Sequence, residues 1–112
     1  MKFYGSGMTN TVYRVDKFRV PTNAREDFLA EVMNTHELLR VQPGFRHDLL
    51  LEQVSDSGEL GIVTLAAWDD QAAAQAAGDA FAEMRRATSF DPKAFMSALG
   101  VSADLGNYRE LA

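Results

Sequence analysis

Cysteine is missing from the 112 residues of this chain, which excludes disulfide bonds, thiolate zinc sites and thiol nucleophiles. The two histidines, His36 and His47, fall on separate predicted elements, and no histidine and carboxylate have the spacing of metal ligands. The run Gly5-Ser6-Gly7 precedes a strand instead of opening a helix, so it does not form a phosphate-binding loop for a nucleotide or flavin. The sequence also lacks support for a Ser–His–Asp or Cys–His nucleophile. We therefore expect neither a metal nor an organic cofactor.

Positive charge is also scarce, because 11 lysines and arginines stand against 16 aspartates and glutamates and leave a net charge of −5. Such a chain lacks the basic surface that nucleic acid or an anionic membrane requires. No apolar run is long enough to cross a bilayer, and residues 1–10 lack the apolar core of a signal peptide. With 46% hydrophobic residues, the sequence predicts one globular domain in the cytoplasm, with neither nucleic acid nor membrane as a partner.

The first half of the chain predicts a strand, a helix and a second strand. Thr11–Val20 is rich in β-branched and aromatic residues, as strands are. Asn23 is placed to cap a helix, and Glu26 stands at the partner position of a capping box. The helix ends before Gln42-Pro43-Gly44, and Phe45–Val54 predicts the second strand. The apolar stripe of the helix, at i, i+3 and i+4 spacing, consists of Phe28, Leu29, Val32, Met33, His36 and Leu39.

The second half predicts a strand, two helices and a closing strand. Leu60–Trp68 is a third strand, joined to the second by a turn-rich loop at residues 55–59. Asp69 or Asp70 caps an alanine-rich helix. A short helix follows at Pro92–Leu99, with an aspartate before it and a glycine after it, and Leu105–Leu111 predicts the last strand. The inner face of the alanine-rich helix is expected to carry Ala73, Ala77, Ala80, Phe81 and Met84.

The order of these elements is β-α-β-β-α-β, with a small extra helix before the last strand. This order is that of an α+β domain with an antiparallel sheet, the ferredoxin-like arrangement. We expect residues 1–10 to form a flexible lead-in and residues 11–112 to form the single domain.

The predicted strand Leu60–Trp68 is apolar on both of its faces. An antiparallel sheet that is covered on one face should instead alternate apolar and polar residues. The helices of a ferredoxin-like domain cover one face of the sheet, so the second face of this strand needs a different cover. A second copy of the chain is the simplest one. The strand therefore predicts a homodimer, and the alternative is an exposed apolar patch of tolerable size.

Four segments resemble the antibiotic biosynthesis monooxygenase domain. They are Lys17-Phe18-Arg19-Val20-Pro21, Thr35-His36-Glu37-Leu38-Leu39, Gln42-Pro43-Gly44-Phe45 and the strand end Trp68-Asp69, and the resemblance extends from Val12 to Arg86. It implies a dimeric α+β barrel, in which the sheets of two copies pack face to face. It also implies oxygenation without a cofactor, in a cleft between the helices and the sheet.

Three residues are candidates for catalysis in that cleft. His36 lies on the helix stripe, either as a general base or as a satisfied histidine at the edge of the core. Asp16 is expected to face the helices, and it either handles a proton or pairs with Arg14 or another cation. Trp68 matches the tryptophan of the family, and it either forms a pocket wall with an N–H donor or packs in the core.

Four further residues are candidates for substrate binding. The resemblance implies that an arginine on the second helix holds an oxyanion of the substrate, and Arg85 or Arg86 matches that position. The alternative for this pair is a solvated helix end, where cations stabilise the helix dipole. Thr64, on the cleft face of the third strand, and Phe81, on the inner face of the second helix, complete the predicted pocket.

The leading hypothesis is therefore a cofactor-independent monooxygenase that acts on a phenolic or quinol-like small molecule with O2. One alternative is a non-catalytic, dimeric module that binds a small ligand or serves in stress. The other is haem binding, because the haem-degrading branch of the superfamily resembles this chain at Trp68. In that branch, however, a first-strand asparagine and a second-helix histidine correspond here to Asp16 and to Ala77 or Gly78, which makes haem degradation by that route less favoured.

Overall fold

The computed structural model describes residues 10–53 and 59–111. Within them the chain forms four strands and three α-helices, with a short 3-10 turn at Thr22–Ala24. In chain order the elements are β1 (Val12–Pro21), α1 (Arg25–Leu39), β2 (Phe45–Glu52), β3 (Glu59–Trp68), α2 (Gln71–Thr88), α3 (Pro92–Leu99) and β4 (Ser102–Tyr108).

The strands form one antiparallel sheet in the order β2-β3-β1-β4. The two central strands, β1 and β3, pair along their whole length, from Val12 opposite Trp68 to Pro21 opposite Glu59. Asp16 stands opposite Thr64 on one side and Leu105 on the other. This topology confirms the predicted ferredoxin-like α+β fold.

The core lies between the helices and one face of the sheet, which we call the front face. Val20 and Ile62 have almost no exposed surface there. Phe28 from α1 packs edge-on against Phe18 from β1, with ring centroids 4.9 Å apart. A second apolar cluster surrounds Trp68 at the other end of β3. The space between the two clusters is where a cleft can form.

The two later helices begin as the sequence predicts. Asp70 accepts a hydrogen bond from the backbone N–H of Ala73 at 2.8 Å, which caps α2. Asp91 accepts from the backbone N–H groups of Lys93 and Ala94 and caps α3. Gly100 ends α3 with a φ of 75°, a left-handed conformation that glycine adopts without strain.

The predicted start of α1 is wrong. Because the chain turns through Thr22–Ala24, α1 begins at Arg25, and Ala24 occupies the capping position without a side-chain acceptor. Met33 was expected on the buried stripe but is 55% exposed. Ala80 was expected to face the core and is also exposed, because Ala77 and Phe81 define the buried face of α2.

The last strand also differs from the prediction, since β4 spans Ser102–Tyr108 and not Leu105–Leu111. Gly100 ends the preceding helix and Val101 is buried against the core, so pairing with β1 starts at once, with Ser102 opposite Arg19. Gly106 lies within the strand, as an edge strand tolerates. The predicted end of the second strand at Val54 and most of the predicted lead-in lie outside the described residues.

The back face of the sheet carries no helix from the described part of the chain. Val63 and Leu65 are half-buried there, and Leu49 and Leu51 beside them on β2 are 49% and 51% exposed. Ala67, in contrast, is fully buried within the protomer. It pairs with Tyr13 on one side and His47 on the other, and their rings approach to 6.5 Å.

Candidate functional site

Two adjoining cavities lie between the front face of the sheet and the helices. The first, which we call the His36 cavity, has a volume of about 410 Å³. The second, which we call the Trp68 cavity, has a volume of about 330 Å³. The two adjoin in one cleft region, since they share the wall residues Arg14, Asp16, Thr35, Phe81 and Arg85.

The His36 cavity is mainly apolar at the end near α3. Aromatic rings from the sheet and from all three helical regions surround it, which leaves flat surfaces for an aromatic ligand. The apolar side chains that line it include Phe18, Phe28, Phe81, Phe90, Phe95 and Met96.

His36 lies on the wall of this cavity in the last turn of α1. Its residue surface is only 5% exposed. Its ring nitrogen Nδ1 is 2.9 Å from Oδ2 of Asp48, on the front face of β2. Arg40, four residues after His36 and just past the end of α1, donates from Nε to the same oxygen at 2.9 Å, and its Nη2 is also 2.9 Å from that oxygen in the ion pair. Asp48 therefore contacts His36 directly, and Arg40 in turn binds the carboxylate of Asp48.

The carboxyl group of Asp48 is ionised in this arrangement. Burial raises its pKa, but hydrogen bonds from His36 and Arg40, together with their positive charge, outweigh that effect. The pKa of Asp48 is therefore lowered from its ordinary value. The contact between this carboxylate and Nδ1 holds the imidazole ring of His36 in one orientation.

Asp16 reaches the boundary between the two cavities and is paired there. Its Oδ1 accepts a hydrogen bond of 2.5 Å from Nε of Arg14. Both side chains line both cavities. The ion pair with Arg14, which the sequence analysis gave as an alternative for Asp16, is therefore present, and the guanidinium of Arg14 lies beside this carboxylate.

Trp68 does not line the His36 cavity but lines the Trp68 cavity. It is 3% exposed and packs edge-on against Phe45, with centroids 5.6 Å apart. No hydrogen bond joins its indole N–H to a described residue, and no buried polar side-chain atom in those residues lacks a partner. The indole N–H therefore keeps some exposed surface, and Trp68 is at once a core residue and a cavity wall.

The two arginines at the end of α2 differ in position. Arg85 lines both cavities and its guanidinium carbon stands 5.9 Å from the ring centroid of Phe81. No acidic side chain within residues 10–53 and 59–111 pairs with it. Arg86 lies outside both cavities, is exposed, and pairs with Glu83. Of the two, only Arg85 is positioned to meet a ligand.

The remaining predicted residues lie at the cleft. Thr64 is buried and lines the His36 cavity, while Phe81 lies between the two cavities. The cleft thus brings together His36, Asp16, Trp68, Thr64, Phe81 and Arg85.

Sequence reasoning missed Asp48 and Arg40. The available signal was that Asp48 shares a face of Phe45–Glu52 with Phe45 and Leu50, the face that the helices cover. A carboxylate at such a position requires a cation or a histidine as a partner.

Two other kinds of site can be assessed directly. Within residues 10–53 and 59–111, no group of three His, Asp or Glu side chains is arranged to hold a metal ion. Ala77 and Gly78, one of which was expected at the position of the histidine in the haem-degrading branch, line the Trp68 cavity and have no side-chain group that could ligate iron. No helix in the described part of the chain has the length and apolar character to cross a membrane.

A family model described as antibiotic biosynthesis monooxygenase matches residues 11–88, in agreement with the resemblance seen in the sequence. No curated protein is significantly similar to the chain in sequence.

Several solved structures share the fold. SnoaB, a cofactor-independent oxygenase from Streptomyces nogalater, is 24% identical with a TM-score of 0.69, over 93% of this chain and 96% of its own. A candidate monooxygenase from Shewanella loihica is 20% identical with a TM-score of 0.70, over 95% and 99%. A dimeric ferredoxin-like protein from an uncultured marine organism is 11% identical with a TM-score of 0.66, over 91% and 96%. At these identities the similarity establishes the fold.

Proposed function

The chain belongs to the antibiotic biosynthesis monooxygenase family, and we propose that it oxidises a phenolic or quinol-like small molecule with O2 and without a cofactor. One observation carries the proposal. A buried histidine, backed by an ionised aspartate, lies on the wall of an aromatic-lined cavity of about 410 Å³. That volume is within the usual range for small-molecule sites.

In this proposal His36 removes the proton from a ring hydroxyl of the substrate. A positioned histidine is suited to this step near neutral pH, and Asp48 stabilises the imidazolium that results. Asp16 is the weaker candidate for this role, because Arg14 already occupies its carboxylate.

The deprotonated ring is rich in electrons and itself reduces dioxygen. A quinol that becomes a hydroxyquinone gives up four electrons, the number that one O2 molecule accepts. One oxygen atom replaces a ring hydrogen and forms the new C–O bond, while the other leaves as water. The reaction therefore balances without an external reductant, and His36 returns its proton to the departing oxygen.

Two further residues stabilise the negative charge that develops in this reaction. Arg85 lines both cavities and has no acidic partner in the described part of the chain, so its guanidinium is available to a substrate oxyanion. Trp68 lines the adjoining cavity, and in this proposal its indole N–H, which has no partner in the described part of the chain, donates to a substrate or peroxide oxygen there.

We further propose that two copies associate through the back face of the sheet. Leu49, Leu51, Val63 and Leu65 form an apolar patch on this face, and no described helix covers it. The dimeric ferredoxin-like protein with a similar fold is consistent with this arrangement. In such a dimer, β3 would form the seam with one face and the cleft with the other.

The catalytic proposal is tested by oxygen uptake with a panel of hydroquinones. We expect the wild-type protein to consume O2, and His36→Gln to lower kcat by about 10²- to 10⁴-fold, the contribution typical of general base catalysis. His47→Gln is the matched control, since His47 is exposed on the back face of β2. An active His36→Gln variant would remove His36 from the mechanism, and no uptake with any quinol would favour a ligand-binding role.

A further inference from the structure

We infer that Asp48 and Arg40 together fix the tautomer of His36, so that its Nε2 presents a lone pair to the His36 cavity. Asp48 and Arg40 are positioning residues in this arrangement, and neither lines the cavity. The inference concerns the ring in the free protein, and only its kinetic consequence rests on the proposed function.

Three nitrogen atoms lie close to a single oxygen atom of Asp48. Oδ2 of Asp48 is 2.9 Å from Nδ1 of His36, 2.9 Å from Nε of Arg40 and 2.9 Å from Nη2 of Arg40. An arginine side chain donates hydrogen bonds and never accepts them. Oδ2 is therefore an acceptor, and because the carboxyl group of Asp48 is ionised, this oxygen carries no hydrogen of its own.

The ring hydrogen follows from this acceptor. Since Oδ2 has no hydrogen to give, the contact at 2.9 Å requires Nδ1 of His36 to be the donor. A neutral imidazole carries one N–H, and its other nitrogen is an acceptor. The neutral ring of His36 therefore has its hydrogen on Nδ1 and its lone pair on Nε2.

The surroundings of the ring decide where that lone pair points. His36 makes no hydrogen bond through Nε2 to any residue in the ranges 10–53 and 59–111. No buried polar side-chain atom in the same ranges is without a partner, so Nε2 is not enclosed in the core. The ring lines the His36 cavity, and Nε2 opens there.

Arg40 should preserve the tautomer of His36 when Asp48 is replaced by asparagine, a substitution that could otherwise reverse it. In Asp48→Asn the new amide has one oxygen and one NH2 group. An NH2 group at the position of Oδ2 would face the N–H of Nε in Arg40, which also donates, so the oxygen takes that position. Asp48→Asn should therefore keep the tautomer of His36 and lose only the negative charge. Asp48→Leu, of similar size, should lose both.

The tautomer is measured by long-range ¹H–¹⁵N NMR of the ring nitrogens, at alkaline pH where histidine is neutral. We expect acceptor-type Nε2 and protonated Nδ1 for His36 in the wild type and in Asp48→Asn. In Asp48→Leu the two signals should move toward each other, as in a mixture of tautomers. His47 is the internal control, assigned with His47→Gln, and its signals should not move. A hydrogen on Nε2 in the wild type, or an unchanged pattern in Asp48→Leu, would overturn the inference.

A second variant serves if Asp48→Leu does not fold. In Arg40→Leu/Asp48→Asn, nothing forces the amide oxygen toward His36, so the NH2 group can donate to Nδ1 and the ring hydrogen moves to Nε2. Since both orientations of the amide are then open, we expect this double variant to show ring signals shifted toward the reversed pattern, as in a mixture of tautomers, whereas Asp48→Asn alone does not. Identical spectra for the two would contradict the role of Arg40.

The kinetic consequence separates this inference from the proposed function. With an active quinol, Asp48→Leu should lower kcat by about 10²-fold with little change in KM, and Asp48→Asn should lower it less. If no quinol is oxidised but the NMR pattern is as expected, the proposed function fails and the tautomer assignment stands. If quinols are oxidised and Asp48→Leu has the wild-type kcat, the positioning role is refuted.

Discussion

The back face of the sheet allows the proposed dimer to be tested quantitatively. Leu49 and Leu51 are each about half exposed, at 49% and 51%, and they point away from the helices. Burying a whole leucine side chain contributes about 1.5–3 kcal/mol, so each exposed half contributes about 1 kcal/mol. In a two-fold dimer each leucine occurs twice, which gives about 4 kcal/mol for the pair of residues.

The double variant Leu49→Ala/Leu51→Ala should therefore weaken the dimer strongly. Alanine retains part of each side chain, so the expected loss is about 3 kcal/mol, or about a hundredfold in the dissociation constant. Sedimentation velocity over a dilution series measures this constant directly. Leu65→Asp should have a larger effect, because the buried carboxylate would add a desolvation cost.

A matched control uses an apolar residue that is even more exposed but lies elsewhere. Val41 is 77% exposed and follows α1, away from the back face. Val41→Asp should leave the dissociation constant unchanged. The reasoning fails if the wild type is monomeric at all concentrations, or if the double leucine variant and the wild type dissociate at the same concentration.

Other parts of the structure give further expectations. With an active quinol, Arg85→Gln should lower kcat/KM by at least tenfold. Arg86→Gln alters only an exposed pair with Glu83 and should change kcat/KM less than twofold. Equal effects of the two substitutions would contradict the placement of the two arginines. Ile62→Ala should lower the free energy of unfolding by about 2–5 kcal/mol in urea denaturation, because Ile62 is fully buried. A loss below about 1 kcal/mol would contradict a packed core around Ile62. Because the pKa of Asp48 is lowered in the folded state from 3.8, its stabilising effect should be complete above that pH and lost as the pH falls through the lower, folded-state value. The wild type should thus exceed Asp48→Asn in stability at neutral pH by more than it does at the acid end of a pH series, and a constant difference would argue against the ion pair.

The fold was predictable because local and long-range signals agree along most of the chain. Strand composition, the Pro-Gly break and the two aspartate caps place the elements near their observed bounds. The errors arise where a tertiary contact overrides a local signal. Asn23 has the chemistry of a cap, but the turn from β1 places Ala24 at the helix start. Burial of Val101 likewise starts β4 earlier than its own sequence indicates.

The site was predictable only in part, because its residues come from elements that are far apart in sequence. Periodicity places His36 on the inner face of α1, but no pattern along one helix reveals that a carboxylate on β2 lies behind it. That contact depends on the register of β2 with β3, which puts Asp48 opposite Ala66 on the front face. A shift of one residue would have placed this carboxylate on the back face and left His36 without a partner.

The same register connects the two proposals physically. Along β2, the residues that alternate with Asp48 on the other face are His47, Leu49 and Leu51. The strand that supports the base with its front face therefore presents the proposed dimer contacts with its back face. β2 is an edge strand in the protomer, held on only one side, so packing against a second copy would restrain it. If the dimer forms as proposed, Leu49→Ala/Leu51→Ala should also loosen the contact between Asp48 and His36, and the ring signals of His36 in the monomeric variant would show it.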